Sequence, residues 1–194
     1  MNGDIYLTPD PDANNYLKEN PFGLLVGMLL DQQIPMERAF GAPYLLHTRL
    51  QQHYGKTLEP ATIVALDEEQ LIALFSEKPA LHRFPKAMAT KCHLLADRIV
   101  TDYHSETTAI WEEAPSGEEL LSRLQALNGF GADKAKIFMA LLGKRFKAAP
   151  AGWEQASDPF GRTNEVRSVA DASSPEALEQ IRNFKASMKA AAKA

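Results

Sequence analysis

One cysteine in 194 residues is too few for a disulfide within the chain, or for a cysteine-built zinc or iron–sulfur centre. That residue, Cys92, lies between Lys91 and His93 in a helical stretch and reads as a small packing residue rather than a nucleophile. Long apolar runs are missing too, and the opening MNGDIYLTPDPDANN lacks a signal-peptide pattern. A soluble, cytoplasmic chain is therefore expected. Period-two strand runs and internal repeats are absent. His82, His93 and His104 have no metal-ligand spacing with carboxylates and read as surface or interhelical polar groups. Nor is positive charge in excess: 21 Lys and Arg stand against 25 Asp and Glu, net −4, which excludes a uniformly basic coat.

What is present is helix. Hydrophobic residues make up 45% of the chain, a globular composition, and they recur at helical spacing. Asn20-Pro21 starts a helix expected over Pro21–Gln33, whose FGLLVGMLL is apolar on every side and so buried. Ile34-Pro35 breaks it. Met36 to Tyr54 reads as a second helix, kinked or broken at Gly41 and Pro43. Asp67 with Gln70 opens DEEQLIALF, a long helix runs from Pro85 or Lys86 to Tyr103, and Trp111 is a packing anchor. Ser174-Pro175 opens a last helix with Arg182, Lys185, Lys189 and Lys193 as a basic stripe, which also suits a helix C-terminus. The fold class is all-α. Three parts are expected: a polar lead-in over 1–20 with a short helix near Ala13–Lys18, a helical domain over 20–160, and over 161–194 a polar linker with a basic helix packed on that domain.

Two stretches depart from plain amphipathic patterning. The first, LNGFGADKA over Leu127–Ala135, lies between a helix that Ser116 and Glu119 start as a capping box and one carrying Ile137, Phe138, Leu141 and Leu142. Gly129 and Gly131 allow backbone conformations that side chains forbid, and amides at the second helix start form a concavity suited to an anion. Lys134, Lys136, Lys144, Arg145 and Lys147 cluster nearby against Asp133 alone. The second stretch, LLDQQIPMERA, ends the buried helix in a sudden polar group, Asp31-Gln32-Gln33.

Together these resemble the helix-hairpin-helix DNA glycosylases of base-excision repair, in a small form without the iron–sulfur cluster. The resemblance covers roughly residues 20 to 160. It implies a compact multi-helix glycosylase-like fold, and a duplex DNA partner, damaged, for a monomeric protein. The location it implies is the nucleoid if the source is bacterial. No cofactor follows from it beyond a monovalent or divalent cation at the hairpin turn when DNA is bound. By the same resemblance Gln33, with Gln32 beside it, fills the gap left by an extruded base. Asn128, Gly129, Gly131, Lys134 and Lys136 contact DNA.

Three family positions differ. The catalytic aspartate belongs near the end of KRFKAAPAGWEQ, where this chain has none; Glu154 and Asp158 follow close behind, Asp158 favoured because Pro159 extends its backbone. A carboxylate there would stabilise charge developing on the sugar. The lyase lysine position holds Asp133, with Lys134 one residue and about 100° further round. Met28 stands where adenine-specific members carry glutamate. Three functions follow: a monofunctional DNA glycosylase (a hydrolase), a binding or lesion-recognition protein without excision, or a helical interaction domain whose glycine turn is only structural.

Overall fold

In a computed structural model of the chain, which describes residues 3–163 and 165–191, eleven α-helices are described and no strand is found among those residues. Helix starts follow local chemistry. Asn20 accepts from the Gly23 amide at 2.6 Å, and Pro21 fills the first position of α2, Pro21–Leu30. Every residue from Phe22 to Leu30 is buried, so α2 is the axis of the core. Before it, α1 (Pro11–Glu19) is fixed by buried Asn14, whose Oδ1 accepts from the Leu7 and Thr8 amides and whose Nδ2 donates to the Thr8 carbonyl. After it, α3 (Met36–Tyr54) packs on both, and a side chain at Gly27 would strike the Phe40 ring at 2.7 Å.

The expected break in α3 does not occur. Pro43 is buried inside a continuous helix that also buries Phe40, Leu46 and Leu50. The helix α2 instead ends three residues earlier than expected, because Asp31 leaves helical geometry at φ −71°, ψ 69°; two residues on, Gln33 takes a left-handed φ of 57°.

A second group is α4 (Pro60–Ala65), α5 (Glu68–Ser76) and α6 (Pro85–Tyr103), with α4 and α5 both laid against α6. The Asp67–Gln70 capping box is fully formed, and Cys92 is completely buried in α6. A short α7 (Ala109–Glu112) presents Trp111, 1% exposed, to Phe138. Then come α8 (Gly117–Gln125) and α9 (Ala132–Leu141), which continues into a wider π-turn over Leu142–Phe146. At α8, Ser116 accepts from the Glu119 amide, but the Glu119 carboxylate takes Arg123 instead of closing the box. The short α10 (Trp153–Ala156) lies across α8 and α9.

The segments around Tyr6 and Ala172 join this body as well. Tyr6 donates its amide to the Ala172 carbonyl at 3.0 Å, and Ile5 and Leu7 are buried. Lys144 pairs with Asp171 at 2.6 Å with both side chains nearly buried, and α11 (Pro175–Ala191) adds Leu178 and Ile181 to the core. The segments taken from sequence as lead-in and linker thus contribute core residues. Of the basic stripe on α11, Lys193 and the side chains of Lys185 and Lys189 lie outside the described residues. No helix among the described residues is long and apolar enough to cross a membrane.

Candidate functional site

The last carbonyls of a helix have no partners within it. At the end of α2, Gly27 accepts from the Asp31 amide and Leu30 from the Gln32 amide. Leu29 is the unusual one: its carbonyl accepts both the Gln32 Nε2 at 2.7 Å and the Lys134 Nζ at 2.9 Å. Gln32 therefore turns inward and caps the helix. Gln33, next along, is exposed, with a left-handed backbone that a glutamine rarely adopts.

The glycine turn between α8 and α9 sits directly on this helix end. Gly129 has φ 85°, and a side chain there would meet Leu29 at 2.3 Å, so both conformation and space require glycine. Gly131 differs. Its φ is −73°, nothing lies within 4 Å of where a side chain would begin, and it stands at the N-cap of α9 with no side-chain cap. Left-handed freedom is needed at the first glycine only. Asn128, Gly129, Gly131, Ala132 and Asp133 are all exposed, so the amides at the start of α9 face open solvent.

Lys134 is held differently from a solvated phosphate-binding lysine. Burial lowers its pKa from the usual 10.5 to about 8; Asp31 opposes that shift and Lys91 adds to it. Next to it, His82 is 1% exposed and bridges two segments: its Nε2 donates to the Gln32 carbonyl at 2.8 Å while Nδ1 accepts from the Phe84 amide at 3.1 Å. That pair of bonds requires the neutral ring. Burial lowers the His82 pKa, the Gln32 bond opposes this, and Arg38, Arg83 and Lys134 lower it further.

Four cations, Arg38, Arg83, Lys91 and Lys134, thus act on one edge of a chain that is acidic overall. Arg38 is fixed by donating to the Ala80 carbonyl at 2.6 Å. Arg83 lies over the Phe84 ring, 4.8 Å from its centre, and that ring is 43% exposed. His82, read from sequence as a surface or interhelical polar group, is buried between two segments, and sequence reasoning passed over Arg83 and Phe84. Their signal was LHRFPK, a basic and aromatic cluster opening a long helix.

The carboxylates lie elsewhere. Lys136, two positions beyond Lys134, points about 200° away on α9. It donates to the Asp158 carbonyl at 3.0 Å, so Asp158 is met on the opposite side of that helix. Its carboxylate is half exposed and bound by Arg162 at 2.7 and 3.3 Å. Glu154 is exposed on α10, whose Trp153 packs on Gly143, about 18 Å along the helix from Gly131. Gln33 and the glycine turn are brought together; Asp158 and Glu154 are not brought to them.

What fold and site define together is an all-helical protein with a basic edge tipped by a strained glutamine and an open helix N-terminus. In comparisons with protein-family models, curated proteins and solved structures, nothing matches the chain.

Proposed function

We propose that the protein binds duplex DNA along this edge and stabilises an extruded base, Gln33 occupying the gap left in the stack. The observation that supports this best is the seating of Gly129 on Leu29, by which the uncapped start of α9 shares an edge with Gln33. Amides and a helix N-terminus suit a backbone phosphate, Arg38, Arg83 and Lys91 supply the surrounding field, and the exposed Phe84 suits a base face. Because Asp158 and Glu154 stand away from that edge, lesion recognition without carboxylate-driven excision fits better than a monofunctional glycosylase.

The test uses the glycine of this turn that can be changed without strain. Gly131→Leu should fold normally yet bind duplex at least tenfold more weakly on every sequence, because a side chain would block approach of a phosphate to the amides. Gln33→Ala should weaken binding to duplex with an abasic site or mismatch more than to intact duplex. Parent-like binding by folded Gly131→Leu across a salt titration would make the turn purely structural.

A second reading rests on the desolvated Lys134 amine, roughly a tenth of which is unprotonated at pH 7 given its lowered pKa. The neutral amine attacks the sugar C1′ as the C1′–N bond breaks and the base leaves with a proton. Loss of the nitrogen proton and ring opening then give a lysine–sugar imine. Borohydride should trap that imine on duplexes carrying alkylated, deaminated or oxidised bases, and Lys134→Gln should abolish the trapped species. Excision that survives Lys134→Gln but is lost in Asp158→Asn or Glu154→Gln would restore the carboxylate.

A further inference from the structure

At the other end of α9, away from the glycine turn, a cavity of about 520 Å³ opens between the start of the chain, α1 and the π-turn. Three cations line it: Lys18 from the last turn of α1, and Arg145 and Lys147 from the end of the π-turn. They reach it from segments far apart in sequence. The Gly3 segment is pressed so closely on the Arg145 carbonyl that a side chain at Gly3 would meet it at 2.5 Å.

The state of Arg145 is what distinguishes the cavity from an ordinary charged surface. Lys144, their neighbour, is fully used by its bonds to Asp171 and the Arg162 carbonyl. Arg145 is largely buried and its guanidinium makes no hydrogen bond or ion pair among the described residues; its Nε is shut off from water without an acceptor. Lys147, held at φ 52°, is exposed and has no acceptor among the described residues. The sealed Nε is a cost to the fold that no entering group relieves; an incoming group can supply acceptors only to the terminal N–H groups of Arg145 and to the lysines. A phosphate does so best, since its oxygens match the planar fork of arginine.

The remaining lining selects among phosphates. Asp4 and Glu19 stand at the same cavity with Asn15. Carboxylates repel a continuous polyanion but accept from hydroxyl or amino groups, and the volume suits a small metabolite. We propose that this cavity is a binding site for a small phosphorylated polyol or nucleoside monophosphate. Its phosphate sits on Arg145, Lys147 and Lys18, and its hydroxyl or amino groups face Asp4, Glu19 and Asn15.

The probes are ribose 5-phosphate, deoxyadenosine monophosphate and inorganic phosphate, titrated calorimetrically into the full chain and followed by thermal shift. At least one of the two organic phosphates should bind with Kd below 1 mM and tighter than inorganic phosphate. Arg145→Gln with Lys147→Gln should weaken it tenfold or more. Neither side chain makes a hydrogen bond among the described residues, so the double variant should keep the parent melting temperature without ligand, and this is checked first. Glu19→Gln should narrow the gap between organic and inorganic phosphate. No binding at 10 mM, or equal binding by parent and double variant, overturns the site. A double variant that loses duplex affinity but not organic phosphate would assign the cations to DNA and overturn it as well. The Gly131→Leu variant should bind the organic phosphate like the parent, so failure at this cavity leaves the α9 edge untouched.

Discussion

Lys134 is a cation drawn away from water with a carbonyl, rather than a carboxylate, as its direct partner. Its cost can be read with pH. In the unfolded chain the amine titrates near the ordinary 10.5, in the fold near 8, so folding disfavours the charged form. The penalty is full below pH 8, shrinks as pH rises from 8 to 10.5, and is gone above that window. Lys134→Met should therefore be more stable than the parent at pH 7 by about 1 kcal/mol, after discounting for partial exposure and for the lost bond to Leu29. Urea unfolding of both proteins at pH 7 and at pH 10 checks this: the gap should close at the higher pH. A residue that lowers stability where it stands is retained for another use. Cys92 is the opposite case. Full burial raises its thiol to about 12, so a thiol reagent should label it only as fast as the protein unfolds.

Among the elements, the turn between α8 and α9 separates two glycines that look alike in sequence. Gly129→Ala forces a side chain into a left-handed residue and into Leu29, and should cost about 2–4 kcal/mol in urea denaturation. Gly131→Ala meets neither obstacle and should change stability by less than about 0.5 kcal/mol. Helix starts were legible because their chemistry is local: Asn20-Pro21 and Asp67 with Gln70 each place a cap within one turn, and Pro85 takes the first position of α6. The end of α2 was not. Whether Gln32 or Gln33 would turn inward depends on the Leu29 carbonyl, on His82 and on Lys134, the last 105 positions from Leu29. No local pattern carries such a choice. The same holds for Asp158, whose place is set by Lys136 and Arg162 rather than by the proline after it.

For the whole molecule, the polar character of residues 1–20 and 161–172 concealed their part in the core. Ile5, Leu7, Val169, Ala170 and Ala172 are buried, yet each is set among polar neighbours that break any recognisable stripe. A fragment of residues 20–160 would expose the surface they cover and leave Lys144 without Asp171. It should lose the cooperative thermal transition of the full chain, as followed by calorimetry, although α2, α5 and α8 keep their side-chain caps.

The bond between the Tyr6 amide and the Ala172 carbonyl has a consequence for how the protein is made. During synthesis, the segment around Tyr6 waits for residues made much later. Until Ala172 emerges, Ile5 and Leu7 have no finished seat, and the helices between them pass through translation around an open core. Slowing elongation ahead of Ala172 would prolong that interval, and with it the time a protease or chaperone has to act.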